Sequence, residues 1–322
     1  MNSLAQPQDA SPGVNRGKKW VGCQSVAGLR EDRIMANVRL ILYFALLFIG
    51  LGSFCLTGCY VPFVRYVPTP DDVVVEMLQL ARVDRDDLVY DLGCGDGRFV
   101  ITAARVFGAR GVGVDIDPDR IRESEENARR AGVTDRVKFF VQDLFQTDIR
   151  EATVVTLYLF PDLNLKLRPK LFRELRPGTR VLSYKYDMGE WEPDSQRTVD
   201  KPRVSPKEAP PVYYFWVIPA DAGGVWRWRM TTSGGGRDYS LRLVQTFQKT
   251  SGKLEGQVPE SPIEEPRLSG DQISFTIIDE TQGQKALIRF LGRISGNSIE
   301  GEAVVQGGLD AGHYSWTARR EQ

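Results

Sequence analysis

The sequence predicts an α/β chain: a doubly wound, seven-stranded Rossmann-like sheet, followed by a C-terminal all-β unit, a small barrel or sandwich. Three observations predict it. The run Val89-Tyr90-Asp91-Leu92-Gly93-Cys94-Gly95-Asp96-Gly97-Arg98 reads as a buried strand, a glycine turn and a helix start. Such a turn lets backbone approach a ligand closely, since no Cβ intervenes. Further apolar runs at residues 111–117, 137–144 and 152–160 alternate with helix-like segments, which argues for a parallel sheet. Beyond Pro219-Ala220-Asp221-Ala222-Gly223-Gly224 the chain turns glycine-rich, with short strand-like stretches.

The elements follow in order. Thr69 suits a helix N-cap, Pro70 the first helical turn, and Asp71 and Asp72 the positive end of the helix dipole. Val73, Val74, Met77, Leu78, Leu80 and Ala81 supply that helix's apolar face. The first strand covers residues 88–92, a helix 98–106, and the second strand ends at Asp115. Residues 118–131 are charged and helical, with Gly132 as the stop, and the third strand ends just before Asp143. A fourth apolar run leads into a helix over 161–175, closed by Pro177-Gly178; residues 179–184 form the fifth strand, and 198–204 and 212–218 pair as the last two. Ligands of such sheets bind at the carboxyl ends of the strands. The glycines and the acids Asp91, Asp115 and Asp143 all fall there.

In the C-terminal part, residues 225–231, 239–246, 253–258, 272–278, 285–290, 298–305 and 314–319 read as short strands. A recurring cue, seen at Gly252-Lys253-Leu254-Glu255-Gly256, Ser269-Gly270-Asp271-Gln272-Ile273 and Ser295-Gly296-Asn297-Ser298-Ile299-Glu300-Gly301, reads as a hairpin signal. Seven or eight strands at this spacing suit a barrel or sandwich. Trp226, Trp228 and Trp316 are expected in its core, and His313 in a structural or solvated position.

Composition excludes several functions. The 322 residues carry 42 basic and 42 acidic side chains, so no broad nucleic-acid footprint is expected. With His313 the sole histidine, a histidine metal site or a Ser-His-Asp triad is not expected. The four cysteines have neither zinc spacing nor a disulfide pattern. No metal is called for.

The glycine turn led by Asp91, with acids ending the second and third strands, resembles the class I S-adenosylmethionine (SAM)-dependent methyltransferases. A dinucleotide-binding unit also carries glycines and a later acid, but its G-x-G-x-x-G spacing is missing here. The resemblance implies SAM as cofactor, with Gly93, Gly95 and Gly97 around its amino-acid end and Asp91 on its ammonium. It also implies Asp115 on the ribose hydroxyls, with Ile116 beside it, and Asp143 on the adenine amino group, with Leu144 near the ring. Asp143 alternatively reads as a loop acid or helix cap.

Val67-Pro68-Thr69-Pro70, Tyr90-Asp91-Leu92-Gly93, Gly95-Asp96-Gly97-Arg98, Thr156-Leu157-Tyr158-Leu159 and Leu165-Lys166-Leu167-Arg168-Pro169 are similar to a narrower group. It contains the mitochondrial protein-lysine methyltransferases that modify ATP synthase and the adenine nucleotide translocase, with bacterial relatives. The likeness covers about residues 60–190, and Cys94 stands where the group more often has serine. It implies a protein-lysine substrate, with a small-molecule or lipid acceptor, or an exported non-catalytic binding role, as alternatives. Methyl transfer needs placement of a nucleophile and exclusion of water. Tyr158 and Phe160, at the fourth strand end, are the acceptor-pocket candidates, since aromatic faces hold a methylated ammonium; ordinary strand-end packing is the alternative. Asn164 and Thr69 are weaker candidates. An Asn-Pro-Pro-Tyr-like motif after the fourth strand is absent, which argues against base or glutamine methylation.

Residues 1–34 read as a disordered or mis-assigned extension, 35–59 as a membrane segment, 60–220 as the methyltransferase domain and 221–322 as the β-domain. Residues 40–56 are almost wholly apolar, after Arg33 and Arg39, and Met35 would make a sensible start. Leu56-Thr57-Gly58-Cys59 resembles a bacterial lipobox, which gives a lipid-anchored protein. An uncleaved single anchor is the other reading, although 17 apolar residues are at the short end for a span. Either way the expectation is membrane association, with a membrane protein among the candidate substrates and without nucleic acid. The basic flank places the rest outside the cytoplasm while SAM is cytosolic, so the side of the membrane stays open.

Overall fold

The computed structural model describes residues 66–199, 210–256, 261–279, 285–308 and 310–321. The segment 35–59 and its lipobox lie outside them. Among the described residues, no helix is long and apolar enough to cross a membrane.

The first half alternates as its hydrophobic pattern dictates: α1 (Asp71–Leu80), β1 (Leu88–Leu92), α2 (Arg98–Phe107), β2 (Arg110–Asp115), α3 (Pro118–Ala131) and β3 (Val137–Val141). Next come β4 (Val154–Leu157), α4 (Pro161–Glu174), β5 (Arg180–Tyr184), β6 (Ser195–Thr198) and β7 (Val212–Val217). The seven strands form one sheet in the order β3-β2-β1-β4-β5-β7-β6. Strand order reverses between β1 and β4, and β7 runs antiparallel to both its neighbours. Each face carries its own core. Val89 of β1 packs with Val74, Met77, Leu78, Val100 and Ala103 under α1 and α2. Its neighbours Tyr90 and Leu92 face the other way, to Leu167, Leu171, Trp191 and Trp216. That is the period-two alternation of a strand covered on both sides.

Local chemistry sets the element ends. Asp117 caps α3, its carboxylate accepting from Asp119 N at 2.8 Å, and Gly132 ends the helix at φ 70°. The expected cap on α1 differs. Pro70 holds the N-cap position, without a side-chain cap bond. Thr69 is instead buried, and its carbonyl accepts from Arg98 Nη1 at 2.5 Å. The fourth strand is shorter than its apolar run, stopping at Leu157. The sixth begins earlier than expected and ends at Thr198.

The C-terminal part is one antiparallel nine-stranded sheet: β8 (Gly224–Thr232), β9 (Gly235–Thr246), β10 (Lys249–Gly256), β11 (Ser261–Pro262), β12 (Glu264–Ser269), β13 (Gln272–Asp279), β14 (Ala286–Ser295), β15 (Ser298–Gln306) and β16 (Gly312–Arg320). The expected strands are present, and β11 and β12 add to them. The sheet curls until β10 lies against β12, a nearly closed barrel rather than a sandwich. Inward residues fill it. Trp228 stacks on Tyr239 at 5.0 Å, and Phe290 meets Trp316 edge-on at 5.0 Å. Trp226, Trp228 and Trp316 are buried core residues, as the sequence predicts. The hairpin cue works at Gly270-Asp271, which joins paired Ser269 and Gln272, and at Gly296-Asn297, which joins paired Ser295 and Ser298. At Gly252 it does not: that glycine lies inside β10, and the turn before β10 is Phe247-Gln248, with Phe247 at φ 54°.

The barrel is tied to the α/β part by backbone and rings. Ala220 N donates to Gly270 O at 2.7 Å, and the Gln245 amide bridges Ala220 O and Phe247 O. Phe247 packs against Phe172 and Trp191, with ring centroids at 5.6 and 6.3 Å, under the Arg168 guanidinium.

Candidate active site

The reversal between β1 and β4 brings the acids and glycines to one end of the sheet. Gly93, Gly95 and Gly97 all adopt positive φ, at 89°, 54° and 79°. The turn docks on β2: Gly93 N and Cys94 N both donate to Val114 O at 2.9 Å. Gly95 N donates to Asp115 Oδ2 at 3.0 Å, and Asp117 N to Asp115 Oδ1 at 3.0 Å. Asp115 is thus aimed by two backbone donors, and each oxygen keeps accepting capacity for a diol.

Asp91 is almost fully buried, at 3 % exposure, and accepts from Thr156 Oγ1 at 2.8 Å across the β1–β4 pairing. Burial pushes its carboxyl up to about 7; Thr156 opposes the shift, while the negative Asp96 and Asp115 add to it. A buried acid with this poise gains from a cation placed beside it, as the cofactor's ammonium would be. Cys94 is buried, and burial, followed by the Asp91 and Asp115 carboxylates, raises its thiol well above the usual range, so it is not a reactive nucleophile.

Asp143 follows β3 in a tight turn. Its Oδ1 accepts from Phe145 N at 2.8 Å and its Oδ2 lies 3.3 Å from Gln146 Nε2. The turn-forming alternative therefore describes part of its chemistry. Half-buried Leu144 and exposed Ile116 offer apolar surface at the ends of the neighbouring strands β3 and β2. The site as built fits SAM: a buried acid for an ammonium, glycine backbone for the amino-acid end, an aimed carboxylate for a diol and apolar side chains for a ring.

Tyr158 lies just past β4 and Phe160 at the N-cap of α4. They are not isolated. Tyr158 meets Tyr184 edge-on at 4.9 Å and Tyr186 at 6.4 Å, and Phe160 lies 6.1 Å from Tyr186. Between the two tyrosines of β5's end, Lys185 takes φ 75°, and its N–H donates to Val212 O at 2.7 Å. Asn164, wholly buried, donates to Ser183 Oγ and to the carbonyls of Tyr186 and Asp187 at 3.1–3.2 Å. Asn164 therefore shapes the aromatic turn, as Thr69 anchors Arg98. Leu159 joins this aromatic group to the cofactor turn, since a Cβ on Gly93 would meet Leu159 Cδ2 at 3.0 Å.

Sequence reasoning missed Tyr184 and Tyr186. Their signal was their place at the end of the fifth strand, which the sheet order sets beside the fourth. Among the described residues there is no cluster of metal-ligating side chains.

Comparison with known proteins agrees with this geometry. The family described as ANTKMT methyltransferase domain matches residues 91–195, which run from Asp91 to the start of β6. A protein-lysine N-methyltransferase from Saccharolobus islandicus is 52 % identical over 135 residues, covering 42 % of this chain and 84 % of that protein. The adenine nucleotide translocase lysine N-methyltransferase of Mus musculus is 32 % identical over 130 residues, covering 40 % of this chain and 56 % of that protein. The chain therefore spans just over half the length of that second relative. Among solved structures, one described as an RNA methyltransferase from Salinibacter ruber in complex with S-adenosyl-L-homocysteine is 56 % identical. It covers 47 % of this chain and 93 % of its own, with a TM-score of 0.43. With four-fifths of the Saccharolobus islandicus relative matched at half identity, the chain belongs to the ANTKMT methyltransferase-domain family of SAM-dependent methyltransferases.

Proposed function

We propose that this methyltransferase acts on a protein lysine. The carrying observation is the aromatic group Tyr158, Phe160, Tyr184 and Tyr186 beside the glycine turn. The names of the two sequence relatives support the same acceptor. SAM, when bound, supplies an electrophilic methyl on a sulfonium, and transfer to an amine releases one proton and leaves a thioether. The chain's residues handle the acceptor. Rings crowding an entering lysine would strip water from its amine, and loss of water disfavours the ammonium form, so the nucleophilic amine is favoured on entry. Burial, and then its two tyrosine neighbours, push the Tyr158 phenol up to about 12, so it stays neutral and sets no anion against the amine. Once methylated, the ammonium is less strongly hydrated, so the ring faces attract its charge at a smaller desolvation cost.

Balanced charge supports a protein over an RNA acceptor, since an RNA footprint needs a basic excess. We further propose attachment to a membrane through residues 40–56, which rests on their apolar composition and basic flank. A membrane-protein substrate would follow from that placement.

The deciding experiment transfers labelled methyl from SAM into a membrane-containing lysate, with the Asp115→Ala variant as control. Label in a discrete protein band, recovered as methyl-lysine after hydrolysis and absent with the variant, is expected. Label confined to an RNA, lipid or small-molecule fraction would overturn the lysine reading. Processing is checked separately by mass spectrometry of the full chain: retention of residues 36–58 excludes the lipid-anchored form.

A further inference from the structure

One aromatic side chain at this end of the sheet belongs to no motif of the fold. The Tyr66 ring lies directly on Gly95, in the middle of the glycine turn; a Cβ at Gly95 would fall against Cε2, Cδ2 and Cζ of that ring. The Arg120 guanidinium of α3 sits 4.9 Å from the ring centroid and is itself paired with Glu123 at 2.5 Å. The chain after Tyr66 is strapped down. Arg98 Nη1 donates to Thr69 O at 2.5 Å and to Asp71 Oδ1 at 3.1 Å. The same guanidinium grips Asp96 of the turn, with Nε to Oδ1 at 2.9 Å and Nη2 to Oδ2 at 2.5 Å. Burial, then the Asp96 carboxylate, push the Tyr66 phenol up to about 12, so it remains a neutral donor.

Two features argue against simple packing. Tyr66 keeps 37 % of its surface exposed, so the ring held on the turn still has surface to offer a ligand. Gly95 also donates its N–H to Asp115. The backbone that meets the ring is thus the backbone that aims the ribose acid.

We propose that Tyr66 is a cofactor-binding residue: its ring closes the glycine-turn end of the SAM site, and Arg98 with Asp96 latches the strap 66–71 over it. The inference rests on the glycine turn as cofactor site and is independent of the acceptor. An aromatic wall supplies contact at low entropic cost, because only two side-chain torsions need fixing.

The test is calorimetric titration of the full chain with S-adenosylhomocysteine, which binds without any methyl acceptor. Failure of the lysine reading would therefore leave this result unchanged. Tyr66→Ala is expected to weaken binding about five- to tenfold, and Tyr66→Phe to stay within about twofold, on the scale of one aromatic contact. Unchanged affinity in Tyr66→Ala would make the ring mere packing, and tighter binding would mean that it fills the cofactor's own space; either overturns the proposal. A second measurement needs no variant. Hydrogen exchange of the wild-type amides in residues 66–72 should slow on saturation with S-adenosylhomocysteine, and unaltered exchange there would equally overturn the assignment.

Discussion

Asp91 shows how much of this site is decided by one residue's surroundings. Its carboxyl lies in the sheet interior, and burial lifts it to about 7, against roughly 3.9 in an unfolded chain. The folded value is the higher one, so the stability gained from the protonated form is complete below the unfolded value. It is lost as pH rises through about 7. A ligand ammonium beside Asp91 favours the anion and reverses that preference. S-adenosylhomocysteine affinity should therefore rise between about pH 5.5 and 8, with the slope removed in Asp91→Asn. Calorimetry across that range checks it, and a flat wild-type profile would remove Asp91 from the ammonium. Asp115 carries a separate prediction. Asp115→Ala removes the acceptor for Gly95 N and Asp117 N as well as the diol acceptor. SAM affinity should fall at least about tenfold, equivalent to about 1.4 kcal/mol. Asp115→Asn, which keeps one acceptor oxygen, should lose less.

Elements meet their limits where backbones touch. In the barrel, Gly292 of β14 pairs with Gly301 of β15, leaving room for Trp316 to cross them. The Trp316 indole N–H donates to Leu291 O at 3.1 Å in the same place. A Cβ on Gly301 would overlap the Leu291 carbonyl oxygen and lie 2.6 Å from Gly292 Cα. Both obstacles are main chain, so no side-chain rotation relieves them. Gly301→Ala should cost about 2 kcal/mol or more, the scale of overpacking in a core. Thermal unfolding of the full chain should show it, with cofactor affinity unchanged because the barrel strands lie outside the glycine turn. The same logic explains the aromatic turn after β5. Lys185 holds a positive φ that lysine rarely adopts, and Asn164 supplies the hydrogen bonds that maintain it.

At the scale of the molecule, Phe247 couples the two sheets. It sits at φ 54° in the β9–β10 turn and inserts among Phe172, Trp191 and Arg168. A left-handed phenylalanine is costly, and the ring packing across the junction offsets that cost. Phe247→Ala should destabilise by about 2 kcal/mol, below the roughly 3–5 of a fully buried phenylalanine because this ring is only half buried. Scanning calorimetry should then resolve separate transitions for the α/β part and the barrel. A single transition at the wild-type temperature would show that the backbone bonds through Ala220, Gly270 and Gln245 suffice.

The strand–helix alternation, the glycine turn after β1, the acids at the ends of β1 and β2 and the barrel's tryptophan core are all legible in the amino-acid sequence. Each is a local signal: an apolar period, a glycine spacing, a carboxylate closing an apolar run. That Tyr184 and Tyr186 join Tyr158 and Phe160, that Tyr66 lies on Gly95, and that Phe247 docks on Trp191 emerges from the folded chain alone. Those contacts link segments far apart in the chain, brought together by strand order and by turns in unusual backbone conformations. Periodicity reports which face of an element is buried. It carries no record of which distant element covers that face, and the aromatic half of this site is built from such coverage.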